Sequence, residues 1–210
     1  MIRLHAFWRS LASYRVRVAL RLKNLRFEEI EVDLLSGRQF DPAFDAVNPQ
    51  HVVPVLEIDG LTLTQSLPII EYLEERFPAP ALLPADPAGR ARVRSLAQIA
   101  ASDVHPLVVP RVRNYLEKTM QAPEAQRLDF IRHWIVQGST ALEARLAREP
   151  QTGRFAHGDA PTLADIVLAS HVLGARLFGL DLKEAPRLAG LADHCLTLPA
   201  FAPGRLAAGH

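Results

Sequence analysis

Pro54 constrains this chain more than any other residue. It stands inside the run Val52-Val53-Pro54-Val55-Leu56, where apolar, mostly β-branched neighbours ask for a strand and the proline removes a ladder donor. The proline therefore belongs at the start of an edge strand, and a cis peptide bond is one way to turn the chain there. Such a turn aims the backbone N–H and C=O of Val53 outward, where a bound extended peptide can pair with them as another strand would. A little further on, Thr64-Gln65-Ser66-Leu67-Pro68 opens a helix whose first N–H groups and positive dipole end favour a carboxylate. Taken alone, Gln65-Ser66 also reads as an ordinary helix cap.

Composition narrows the classes. The 24 Lys and Arg nearly balance the 23 Asp and Glu, so no global field draws the chain to nucleic acid or a membrane surface. Cys195 is the single cysteine, which excludes an intramolecular disulfide framework and a CxxC redox pair and points to a reducing cytoplasm. Arg3, His5, Arg9 and Ser10 interrupt the apolar N-terminus, and no segment reaches transmembrane length, so a soluble, unexported protein is expected. No metal site is expected.

The first eighty residues alternate strand and helix. Residues 1–7 read as a strand; Ser13 can cap a helix with Val16, Ala19 and Leu20 on one face; residues 27–32 read as a second strand. Residues 34–48 are loop-like with a short helical turn. Residues 54–58, an Asp59-Gly60 turn and residues 61–64 make a hairpin, and the next helix turns Ile70 and Leu73 inward. This order predicts a mixed four-stranded sheet covered by helices, the thioredoxin architecture, over residues 1–80. Prolines 78, 80, 84 and 87 mark a linker, and residues 88–210 read as an all-helical domain. Its helices span 88–118, 123–147, 163–177 and 188–198. Pro106 and Pro110 should kink or break the first, and Thr162-Leu163-Ala164-Asp165 is a capping box.

These pieces carry a resemblance. Ser10-x-x-Ser13-Tyr14-Arg15-Val16-Arg17, Asn48-Pro49-Gln50-x-Val52-Val53-Pro54, Gln65-Ser66-x-x-Ile69-Ile70-Glu71, Asp103-Val104-His105-Pro106-Leu107 and Pro161-Thr162-Leu163-Ala164-Asp165 follow in the order of a cytosolic glutathione transferase. The chain is similar to the zeta class, and Phe7-Trp8-Arg9-Ser10 leans toward its maleylpyruvate isomerase branch rather than the maleylacetoacetate isomerases. The family shows two asparagines after His-Pro-Leu, where this chain has Val108-Val109, so polar contacts from that pair are missing.

Ser10 and Ser13 occupy the strand-to-helix junction where a thioredoxin carries CxxC. A hydroxyl there can donate to a ligand's thiolate while the helix dipole lowers the thiol pKa; each serine also reads as a turn or cap residue. The resemblance puts Ser10 at the sulfur and leaves Ser13 mainly to capping. It also implies that Val53 beside Pro54 pairs with the cysteinyl unit of glutathione, that Gln65 and Ser66 hold its γ-glutamyl carboxylate, that Gln50 and His51 lie near its glycyl end, and that Asp103 reaches the γ-glutamyl amine across a homodimer interface. Asp103 reads otherwise as a surface acid. Arg9, Arg111 and Arg176 match positions that approach substrate carboxylates, work that suits the arginine fork. His105 reads equally as a neutral donor, an acid–base group or a structural histidine. Arg15, Arg17, Arg21, Arg90, Arg92, Arg94 and Arg113 are expected on solvated faces or in structural pairs.

The resemblance implies glutathione as catalytic cofactor in the cis–trans isomerisation of a maleyl dicarboxylate, maleylpyruvate or maleylacetoacetate, during aromatic catabolism. Two other readings stand beside it: a general transferase that conjugates or dehalogenates small electrophiles, and a non-catalytic interaction protein of the same fold.

Overall fold

A computed structural model describes residues 1–204 and 206, and its internal contacts divide the chain into Met1–Leu82 with the described residues from Pro199, and Leu83–Leu198. The first unit is a four-stranded mixed sheet with helices, the thioredoxin-like architecture expected. Strand β1 (Arg3–Ala6) runs parallel to β2 (Glu28–Glu31) and antiparallel to β3 (Val55–Ile58), which pairs antiparallel with β4 (Leu61–Thr64), in the order β2-β1-β3-β4. Leu4 faces Glu29 on one side and Leu56 on the other. Asp59 and Gly60 turn the hairpin with φ of +52° and +77°, the paired positive values that a two-residue loop requires to match strand twist.

One expectation fails here. The strand after Pro54 is interior, flanked by β1 and β4, rather than an edge strand. Pro54 is tolerated because the ladder begins only at Val55, so its missing N–H removes no sheet hydrogen bond.

Helix α1 (Leu11–Leu22) packs on α3 (Ser66–Arg76), and its residues 13–20 are all buried. Its cap also differs from expectation: the helix begins at Leu11, so Ser10 is the N-cap and Ser13 lies one turn inside. A 3₁₀ turn (Arg38–Phe40) and the one-turn α2 (Pro42–Asp45) occupy the loop before β3. Phe7, Val32, Phe44, Val53 and Val55 form a cluster with Trp8, Leu34 and Val47 packed on it, which seats the backbone before Pro54 on an apolar floor.

The linker is fastened within this unit. Lys23 Nζ, fully buried, donates to Glu74 Oε2 (2.5 Å) and to the carbonyls of Phe77 (2.7 Å) and Pro80 (2.6 Å), while Leu82 N donates to Glu74 Oε2 (2.9 Å). A 3₁₀ turn (Pro199–Phe201) follows the last helix; Tyr14 Oη donates to Phe201 O (2.7 Å) and Arg21 to Ala202 O (3.0 Å).

The second unit is helical. Helix α4 (Pro87–Gln98) runs into a π-helical segment (Ile99–Val104), then α5 (His105–Val108) and α6 (Pro110–Lys118). Pro106 and Pro110 account for the interruptions: each lacks the N–H that an α-helix needs, and the helix widens or restarts around them. The remaining helices are α7 (Glu124–Arg148), α8 (Leu163–Leu177) and α9 (Pro186–Leu196). At Gly138 a Cβ would fall 2.2 Å from Val104 Cγ2, so only glycine lets α7 lie against the π segment. Helix α8 is buried from Leu163 to Ala175, and Thr162 N and Oγ1 both donate to Asp165 Oδ2 at 2.8 Å, the expected capping box. Asp165 Oδ1 accepts from Ala156 N (2.7 Å), which ties the preceding loop to the cap.

Candidate functional site

Three chain turns of the first unit carry the expected binding residues. At the first, Ser10 has extended φ and ψ of −80° and 117°, and its Oγ accepts from Ser13 N at 3.1 Å. Capping uses a lone pair of the hydroxyl and leaves its proton to donate, so one residue can close α1 and face an anion. Ser13 Oγ is fully buried and has no hydrogen-bond partner among the described residues. The half-buried Ser10 is therefore the hydroxyl with access to a ligand.

At the second turn the Val53–Pro54 peptide is cis. Asn48, buried, builds the approach to it: its Nδ2 donates to Val52 O (2.8 Å), its Oδ1 accepts from Gln50 N (3.1 Å), and its carbonyl accepts from His51 N (2.9 Å). Sequence reasoning quoted Asn48 but gave it no role; the signal was an asparagine before Pro49, which favours side-chain to backbone bonds two residues on. His51 adopts φ +55°, with Nε2 2.8 Å from Asp45 and its ring 5.2 Å from that of Phe40.

The third turn opens α3. Gln65 has φ +69° and ψ 126°, a conformation costly for any side chain with a Cβ. It turns the chain so that α3 starts at once, and Gln65 Nε2 donates to Gln50 Oε1 at 2.9 Å, joining the second and third turns. Pro68 has no N–H and Ile69 N bonds to Gln65 O (3.0 Å), so Ser66 and Leu67 carry the first-turn amides left for a ligand. These groups suit a carboxylate.

Beside Ser66 lies a residue expected on a solvated face or in a structural pair, and the solvated face is not what it occupies. Arg15 is 2% exposed, and its Nη1 donates to Ser66 Oγ at 3.5 Å. Burial lowers its pKa to about 10, still well above neutrality. Arg17 and Arg92 are also buried and pair with Glu29 (2.6 Å) and Glu149 (2.5 Å), the structural pairs foreseen.

The remaining candidates fall in both units. Arg9 is exposed beside Ser10. In the second unit, Asp103 is exposed in the π segment, His105 is half-buried at the start of α5, and Arg111 is exposed in the first turn of α6. Arg176, in the last turn of α8, donates to Asp193 Oδ1 at 2.7 Å with 39% of its side chain exposed. Asp181 pairs instead with Lys183. Val108, at a family asparagine position, is buried, so one of the two lost polar positions has become core. The only thiol, Cys195, is buried, and burial together with the nearby Asp165 pushes its pKa up, so a nucleophilic sulfur at this site has to come from a ligand. No group of metal-ligating side chains occurs among the described residues, and no helix there is long and apolar enough to cross a membrane.

A cis-proline turn, a residue at positive φ opening one helix and a hydroxyl capping another all belong to the first unit. Residues 4–81 match the glutathione S-transferase N-terminal domain, and residues 135–195 match the C-terminal domain. This chain belongs to the glutathione S-transferase family. It is 45% identical over 200 residues to the maleylpyruvate isomerase of a Ralstonia species, covering 95% of this chain and 94% of that protein. Two solved structures are similar throughout. One is the holo form of a maleylpyruvate isomerase described as a bacterial zeta-class glutathione S-transferase (TM-score 0.93, 45% identity, covering 98% of this chain and 96% of that one). The other is a maleylacetoacetate isomerase from Methylobacterium extorquens AM1 with bound malonate and GSH (TM-score 0.93, 45% identity, 98% and 95%). The zeta-class resemblance read from the motifs is thus met across nearly the whole chain.

Proposed function

We propose that this chain binds glutathione and uses it to isomerise a maleyl dicarboxylate, maleylpyruvate or maleylacetoacetate, to its fumaryl form in aromatic catabolism. The observation that carries this reading is near-full-length identity of 45% to an isomerase, and to an isomerase structure holding both GSH and a dicarboxylate. The three turns fit the tripeptide on their own chemistry. Gln65, Ser66 and the first amides of α3 bind the γ-glutamyl carboxylate; the Val53 backbone before Pro54 pairs with the cysteinyl unit; Gln50 and His51 take the glycyl end. Asp103 of the partner subunit meets the γ-glutamyl amine in a homodimer. A cytoplasmic setting accords with a lone, buried cysteine.

Glutathione, when bound, supplies the thiolate whose reversible addition lets a cis double bond turn to trans. The chain's residues prepare that chemistry. The Ser10 hydroxyl would hydrogen-bond to the thiolate through the proton that capping leaves free, and the N-terminus of α1 would lower the thiol pKa. Arg9, Arg111 and Arg176 would bind the substrate's carboxylates and stabilise negative charge on its carbonyl oxygen. His105 serves as a hydrogen-bond donor or as an acid–base group.

An absorbance assay of maleylpyruvate and maleylacetoacetate tests the reading. Isomerisation should appear only when glutathione is present. No isomerisation at millimolar glutathione, together with conjugation of a neutral electrophile, would overturn it in favour of a general transferase.

A further inference from the structure

The carboxylate subsite shows neutral donors on its surface: the Gln65 amide, the Ser66 hydroxyl and two backbone N–H groups. A carboxylate accepting from neutral donors already makes charge-assisted hydrogen bonds, but it has no counter-charge beside it. The missing charge lies one layer down. Arg15 extends from α1, is 2% exposed, and places Nη1 3.5 Å from Ser66 Oγ, the first side chain of α3 and itself buried. A serine hydroxyl has one proton and two acceptor lone pairs. Because arginine has donors only, its contact occupies a lone pair of Ser66 and leaves the hydroxyl proton for another acceptor. The burial that encloses Arg15 also weakens screening of its charge, so the guanidinium and the positive end of α3 act in the same direction.

We propose that Arg15 is a positioning residue of the carboxylate subsite: by donating to Ser66 Oγ it commits the Ser66 proton to the γ-glutamyl carboxylate, and it supplies the full positive charge that the surface donors lack. The inference rests on the glutathione reading and adds to it a buried cation acting through Ser66. A substituent without charge at position 15 frees the Ser66 rotor and leaves the carboxylate with neutral partners.

The test compares two ligands by calorimetry, glutathione and 4-aminobutyryl-cysteinylglycine, which lacks only the γ-glutamyl carboxylate. Arg15→Met should weaken glutathione by about tenfold or more, the scale of a hydrogen bond to a charged group. It should change the analogue's affinity less than about twofold. In steady state KM for glutathione should rise while kcat at saturation holds. Lysine keeps the charge without the planar fork, so Arg15→Lys should recover most of the glutathione affinity. In a Ser66→Ala background Arg15→Lys should lose most of its effect, since the path through the hydroxyl is gone, while Arg15→Met keeps the part due to the lost charge. If Arg15→Met does not fold, Arg15→Lys carries the comparison with a loss of about threefold, still confined to the carboxylate-bearing ligand. Equal weakening of both ligands, or an Arg15→Lys effect that adds fully to that of Ser66→Ala, would overturn the proposal and leave Arg15 a structural residue. Wild-type protein that binds neither ligand would overturn the glutathione reading itself, and this inference with it.

Discussion

Lys23 and Glu74 meet at 2.5 Å in the interior of the first unit, and around that pair the chain between Phe77 and Leu82 is fastened to α1 and α3. The ammonium's three protons go to one carboxylate and two carbonyls, so no donor is wasted, and the carboxylate also takes an amide. Removing one member strands the others away from water. Lys23→Met should cost about 3–5 kcal/mol in chemical denaturation, the range for breaking a buried ion pair. A loss below about 1 kcal/mol, the range of a surface pair, would show that water reaches these groups.

The two serines at the start of α1 should separate by experiment. Ser10→Ala removes the cap, at about 1 kcal/mol, and also the proton proposed to meet the thiolate, so kcat should fall far more than glutathione affinity. Ser13→Ala deletes a buried hydroxyl that has no partner among the described residues, and should be neutral or slightly stabilising. A larger kinetic effect from Ser13→Ala at equal stability would reverse the roles of the two residues.

Acid should act through Glu149. Its carboxyl is held below the usual value by hydrogen bonds from Arg145 first and Arg92 next, against the opposing effect of burial. The folded pKa lies below the unfolded one, so this stabilisation is complete above the ordinary glutamate range and is lost as pH falls through the depressed pKa. Melting temperatures of wild type and Glu149→Gln measured from pH 6 downward should converge with acidification. A gap that stays constant would mean that Glu149 acts through packing alone.

Arg176 has a partner in the structure, Asp193, yet both side chains are substantially exposed, 39% and 56%, and such pairs contribute little to stability. Arg176→Ala should depress kcat/KM for a maleyl dicarboxylate by about tenfold or more and leave a neutral electrophile nearly unaffected. Asp193→Asn keeps the arginine and should leave isomerisation close to wild type. Should Asp193→Asn match Arg176→Ala, or charged and neutral substrates suffer alike, the arginine's role is structural.

Short-range chemistry was decided by the sequence itself. The Asp59-Gly60 turn, the Thr162 to Asp165 capping box, the breaks at Pro106 and Pro110 and the carboxylate-favouring start of α3 depend on groups within a few residues of one another, so their spacing alone specifies them. The position of the α1 cap was misread because Ser10 and Ser13 are chemically equal, and the helix start is set by where β1 hands over the chain. Arg15 looked like one more charge in a helix; only the packing of α1 on α3 brings it to Ser66, 51 positions away. Lys23 reaches Glu74 across the same separation, and Tyr14 reaches Phe201 across 187 positions. Such contacts form once loop closure has been overcome by burial of the surrounding apolar surface, a balance that belongs to the folded chain and that no local pattern records.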